Sequence, residues 1–235
     1  MAKTKSVYIC QNCGADSPKW IGKCPSCGEW NSYVEEIVSK DNGPKITMAG
    51  LEVTKQKPVK LHEVETTEES RIDTSNNELN RVLGGGLVPG SLVLIGGEPG
   101  IGKSTLVLQV VLNLKGKRTL YISGEESVKQ LKLRAERLKY DNPDCYIVSE
   151  TSLEQAFVHI QNVQPDVVIV DSIQTISTEL IESSPGSVSQ VRECAAHLLK
   201  FCKTTTTPVL LIGHINKEGS IAGPKVLEHI VDTVL

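Results

Sequence analysis

Aromatic side chains are scarce in this sequence: two Trp, two Phe and five Tyr among 235 residues, or 4%. With 39% apolar residues overall, that is the profile of an α/β domain whose core is Val, Ile and Leu. An excess of basic charge is also lacking. The net charge is −3, so no global field attracts nucleic acid, and any DNA or RNA contact must come from local patches. No apolar run reaches membrane-spanning length, and Met1-Ala-Lys-Thr-Lys5 has no signal-peptide core. These absences predict a cytoplasmic protein with no membrane partner. Internal repeats are absent too. The length suits one sizeable domain plus a small module.

Seven cysteines are present, and in the cytosol they argue for metal or free thiols rather than disulfides. Four of them form Cys10-x-x-Cys13 and Cys24-x-x-Cys27, ten residues apart. Two such knuckles in register present four thiolates to one Zn²⁺, whereas a redox dithiol needs only one. Gly14 and Gly28 each follow the second Cys of a pair, where the chain turns tightly. A ribbon this small has almost no core, so the metal supplies its folding energy. Trp20 and Trp30 flank the second knuckle, among Lys3, Lys5, Lys19 and Lys23. They either cover the metal or stack on bases. Cys145, Cys194 and Cys202 lack ligand spacing and read as core thiols.

Gly97-Glu98-Pro99-Gly100-Ile101-Gly102-Lys103-Ser104 fits the phosphate-binding pattern G-x-x-x-x-G-K-[ST]. An apolar run, Ser91 to Ile95, precedes it as a strand, and Ser104 to Leu114 follows as a helix. The glycines let backbone N–H groups face a phosphate, and the helix N-terminus adds positive potential there. The motif therefore predicts an ATP site from Gly97 to Thr105. Lys103 reaches the β- and γ-phosphates, and the Ser104 hydroxyl ligates Mg²⁺.

Downstream, apolar runs at 118–122, 145–148 and 208–212 alternate with helical patterns at 128–138, 153–162 and about 190–203. Glu125 and Glu126 follow the first of these strands. A carboxylate there either orients water against the γ-phosphate or caps the helix starting near Ser127. Asp166-Val-Val-Ile-Val-Asp171 is a Walker B pattern, with Asp171 holding Mg²⁺ through water. Ser75-Asn-Asn-Glu78 reads as a capping box opening a short helix to Leu83. Residues 39–70 read as a linker. The domains expected are a ribbon over 1–38, that linker, and a P-loop core over 71–235.

Leu83-Gly-Gly-Gly-Leu-Val-Pro-Gly-Ser-Leu-Val-Leu-Ile-Gly-Gly, Tyr121-Ile-Ser-Gly-Glu-Glu-Ser, Ser184-Pro-Gly-Ser-Val-Ser-Gln-Val-Arg-Glu and Gly213-His-Ile-Asn-Lys-Glu-Gly, with the four-cysteine ribbon, resemble the bacterial RadA (Sms) DNA repair family across essentially the whole chain. The resemblance implies a RecA-like α/β ATPase core with a mostly parallel sheet, preceded by a small four-cysteine zinc ribbon. It implies a DNA-stimulated ATPase that binds single-stranded DNA, migrates branches of recombination intermediates, forms a hexameric ring and works beside a RecA-type recombinase. It makes Glu125 the catalytic glutamate and His214 a polar sensor. It assigns the loops around Ser184–Arg192 and Glu218–Lys225 to DNA, with Arg192, Lys217 and Lys225 on phosphates. Asn216 stands where the family usually has Thr. The family's Lys-Asn-Arg-Phe-Gly motif and Lon-protease-like domain would follow Leu235, so the chain resembles a front half and is expected to hydrolyse ATP poorly alone. Two other functions stay open: a nucleotide-gated scaffold for partner proteins, and a kinase or clock-type ATPase of the same superfamily.

Overall fold

The computed structural model describes residues 4–39, 60–63, 71–214 and 227–235. The linker predicted over 39–70 therefore lies mostly outside the described residues, as do Lys3, Asn216, Lys217 and Lys225. At the N-terminus, β1 (Thr4–Cys10) pairs antiparallel with both β2 (Asp16–Ser17) and β3 (Tyr33–Ser39). Its core is small: Cys10, Cys24 and Tyr33 are buried, with Tyr8 and Ile21 packed beside them.

The larger unit is a six-stranded sheet. Its strands are β4 (Leu92–Gly97), β5 (Thr119–Ser123), β6 (Cys145–Ser149), β7 (Val167–Asp171), β8 (Val209–His214) and β9 (Thr233–Val234), in the order β6-β5-β7-β8-β4-β9. Every neighbouring pair is parallel. The central strands are apolar on both faces, as a sheet covered on both sides requires. One face, with Leu94, Ile122, Val170 and Leu211, packs on α4 (Leu153–Val163) and α5 (Val188–Thr205). The other, with Val93, Ile169 and Ile212, packs on α1 (Asn77–Val82), α2 (Lys103–Asn113) and α3 (Val128–Leu138). Of the residues in α3 only Leu131 is buried, which accounts for that helix's charged sequence. Cys194 and Cys202 are buried, and burial pushes both thiols up to about 12. They are inert core side chains.

Helix starts follow local chemistry. Ser127, Ser152 and Ser187 each accept a bond from the backbone N–H three residues on. The box expected at Ser75 is shifted by one. Asn76 caps α1 by accepting from Leu79 N, while Ser75 takes a left-handed turn at φ 56. β9 pairs with β4 at 233–234, and Leu235 continues it by donating to Leu94 O and accepting from Gly96 N, both at 2.8 Å. Asp232 just before it accepts from Leu92 N and Lys203, which fixes this edge to the sheet.

Candidate functional site

The metal knuckles are built alike. Gly14 N donates to Cys10 O and Gly28 N to Cys24 O, both at 2.8 Å, and both glycines have positive φ. These turns bring the four Sγ atoms within 4.8 Å of one another, with Cys10–Cys27 at 3.7 Å and Cys13–Cys24 at 3.6 Å. A tetrahedral Zn²⁺ with bonds of about 2.3 Å has sulfur–sulfur edges of about 3.8 Å, so the four thiols fit one zinc. The tryptophans do not cover it. Trp20 and Trp30 are 52% and 64% exposed, and the lid is Tyr33, whose hydroxyl lies 3.5 Å from Cys24 Sγ. Lys23 sits 5.5 Å over the Trp30 ring.

The second site gathers at the carboxyl ends of the parallel strands, where α/β sheets bind ligands. β4 runs into the Gly97–Ser104 loop, and α2 starts at Lys103 behind Gly102, whose φ of 99° closes the turn. Lys103 is 6% exposed, and its Nζ donates to Gly97 O at 2.7 Å and Glu98 O at 2.8 Å. Burial draws the ammonium below its ordinary value, while Asp171 and Glu125 act the other way. Ser104 and Thr105, on the first turn of α2, remain half-buried at the mouth.

Asp171 ends β7 at register with Ser123 on β5 and Ile212 on β8. Its Oδ1 is buried without a partner among the described residues. A carboxylate oxygen left this way beside a phosphate loop fits a hydrated Mg²⁺. Gly124 lets the β5 end approach: a Cβ there would lie 2.0 Å from Thr175 Oγ1. Glu125 follows, 40% exposed, with Oε1 accepting from Ser172 Oγ at 2.6 Å and lying 2.9 Å from His214 Nε2. Glu126 turns away, paired with Arg134 at 2.7 Å. Glu125, not Glu126, thus faces Asp171 and His214, with donor atoms of all three within 4.8 Å. The helix-capping role weighed for both glutamates belongs to Ser127.

Three participants escaped the sequence reading. Ser172 lies in no motif and Tyr121 only opens the Tyr121-Ile-Ser-Gly-Glu-Glu-Ser run without a role of its own; each is recognised through the carboxylate it touches. Gln190, nearly fully buried, accepts from Thr178 N and donates to the carbonyls of Thr178, Ile181 and Ser183, so it templates the segment before α5. Arg192 is exposed on α5 and is not part of the Glu125–Asp171–His214 cluster.

A phosphate loop, a strand-end aspartate and a strand-end glutamate on a RecA-like parallel sheet define a P-loop ATPase fold. The chain belongs to the AAA domain family, whose model matches residues 56–220. A second model, described as a rubredoxin metal-binding domain, matches residues 8–35. Over its full length the chain is 58% identical to DNA repair protein RadA of Bacillus subtilis and 52% identical to those of Halalkalibacterium halodurans and Listeria monocytogenes. It spans about half of these relatives' length, 51–52%. Among solved structures, a KaiC-like protein from Pyrococcus horikoshii shares the fold, with TM-score 0.57 and 18% identity over 70% of this chain and 79% of that one. No helix among the described residues is long and apolar enough to cross a membrane.

Proposed function

We propose that this chain is the nucleotide-hydrolysing half of a DNA repair ATPase that works on single-stranded DNA and recombination intermediates in the cytoplasm. In this reading it comprises a zinc ribbon over 1–38, a linker over 39–70 and the ATPase core from 71 onward. The observation that supports it best is the convergence of Lys103, Glu125 and Asp171 at one sheet edge in a chain so similar to DNA repair proteins.

Lys103 trades its two backbone carbonyls for β- and γ-phosphate oxygens, which are stronger acceptors for a cation. Gly97 to Thr105 supply the backbone cradle and Ser104 one hydroxyl ligand. Asp171, through the Oδ1 left without a partner among the described residues, would help hold a magnesium ion. Magnesium, when bound, offsets the charge on the phosphate oxygens. Glu125 aligns the attacking water, and Ser172 holds the carboxylate in place. His214 contacts the same oxygen and serves as the polar sensor. In this reading the loops around Ser184–Arg192 and Glu218–Lys225 face DNA, with Lys217, Lys225 and exposed Arg192 on phosphates. A hexameric ring and a RecA-type recombinase complete the assembly.

Steady-state ATP hydrolysis with and without single-stranded DNA tests this, in the full-length protein. Lys103→Ala should lose nucleotide binding. Glu125→Gln should still bind ATP but turn over roughly 10²-fold or more slowly, and Glu126→Gln should stay near the parent rate. Normal turnover in Glu125→Gln, or no stimulation of the parent protein by DNA, would overturn the reading.

A further inference from the structure

Tyr121 occupies the middle of β5 and has no solvent exposure. Its neighbours on that face of the sheet are Ile169, Leu210 and Ile212, all plain aliphatics. A phenol among them must find a partner for its hydroxyl. The sheet register provides one. Tyr121 lies opposite Ile169 on β7, and Asp171, two residues further on, falls on the same face. Tyr121 Oη and Asp171 Oδ2 are 2.5 Å apart. An ionised carboxylate only accepts, so the Tyr121 hydroxyl is the donor.

The two oxygens of Asp171 are therefore unlike. Oδ2 is tied to Tyr121, and Oδ1 is buried with no partner among the described residues. A carboxylate turns easily about its last torsion, where the preference is broad and two-fold. A donor fixed on the neighbouring strand removes that freedom.

We propose that Tyr121 is a positioning residue for magnesium: its hydroxyl holds one oxygen of Asp171 so that the other faces the metal's water shell. The proposal rests on the nucleotide-binding reading given above. This strand position carries tyrosine for its oxygen, not for its volume. Partners that orient metal-binding side chains typically change metal affinity or activity by about 10–100-fold when removed.

Tyr121→Phe keeps the ring and deletes only the hydroxyl. Binding of a fluorescent ATP analogue to the full-length protein is followed while Mg²⁺ is titrated, and again in excess chelator. The expected result is a Mg²⁺ midpoint raised roughly 10-fold or more, chelator-insensitive binding unchanged, and turnover largely rescued by high Mg²⁺. An unchanged midpoint in folded Tyr121→Phe overturns the proposal. Adding Tyr121→Phe to Asp171→Asn should shift the midpoint no further, and an additive loss overturns it as well. If Tyr121→Phe does not fold, 3-fluorotyrosine placed at 121 keeps the shape and alters the donor. A displaced midpoint then supports the role, and a coincident one overturns it. A parent protein with no Mg²⁺-dependent binding would sink the nucleotide reading itself, which is a separate outcome.

Discussion

The two sheets of this molecule are stable for different reasons. The three-stranded ribbon buries Cys10, Cys24 and Tyr33 and little else. The six-stranded sheet buries an aliphatic layer on each face, Leu94 and Ile122 on one and Val93 and Ile169 on the other. In the first, four thiols must be gathered, and the metal that gathers them supplies the folding energy. In the second, the strands fold by removing apolar surface from water, and the chemistry sits at their ends where packing tolerates polar groups. The contrast means that metal and core should fail independently.

The largest effect should come from breaking that independence test. Structural zinc contributes roughly 10–16 kcal/mol in zinc-finger peptides, more than a ribbon of this size can replace. Cys24→Ser should release the metal and unfold the ribbon, while the ATPase sheet keeps its own melting transition. Leu94→Ala should do the reverse, lowering the sheet's stability by about 2–5 kcal/mol with zinc retained. Elemental analysis and calorimetry on each variant check this. A single shared transition lost in both variants would show that the two regions fold as one.

A smaller effect belongs to the boundary between packing and function. Gln190 satisfies four backbone groups of the segment before α5, and truncating its side chain takes that partner from all four at once. Unsatisfied buried groups cost about 1–3 kcal/mol. Gln190→Ala should lower stability by that amount and raise amide exchange at Thr178–Ser183, with exchange at Val168–Val170 following global unfolding only. Unchanged exchange in that segment would show that α5 does not template it.

Periodicity and spacing made most of the architecture legible. The parallel alternation, the P-loop context of Lys103, the Walker B position of Asp171 and the two knuckles all follow from local patterns. Contacts between distant residues do not. Glu125 and His214 are 89 positions apart, and Ser172 lies 47 from Glu125. Only the order β5-β7-β8 puts them together. Tyr121 reads as strand filling because β-propensity rewards aromatic residues whatever their hydroxyl does. The cap of α1 fell one residue from its expected place because Ser75 and Asn76 are both good capping residues, and the turn geometry chose between them.

The smallest effect on stability, and the sharpest comparison of surface with interior, is expected at the tryptophans. The sequence allowed them to shield the metal or to stand ready for bases. Their exposure removes the first role, since Tyr33 does the covering. Both rings lie 3.8 Å from where a Cβ on Gly22 would sit, and Lys23 lies over Trp30. They form an aromatic surface with a cation beside it, the composition that single strands stack upon. Trp30→Ala should therefore leave zinc stoichiometry intact and change stability by no more than about 0.5 kcal/mol. If this surface meets DNA, the same change should weaken single-stranded binding by about 1–3 kcal/mol, with little effect on duplex. Titration of a labelled oligonucleotide at fixed salt, beside elemental analysis of the same sample, reads both. Loss of zinc would return the tryptophan to a structural role. Retained zinc with unaltered binding would assign the strand to the ATPase core, where Arg192, Lys217 and Lys225 are the residues to change next.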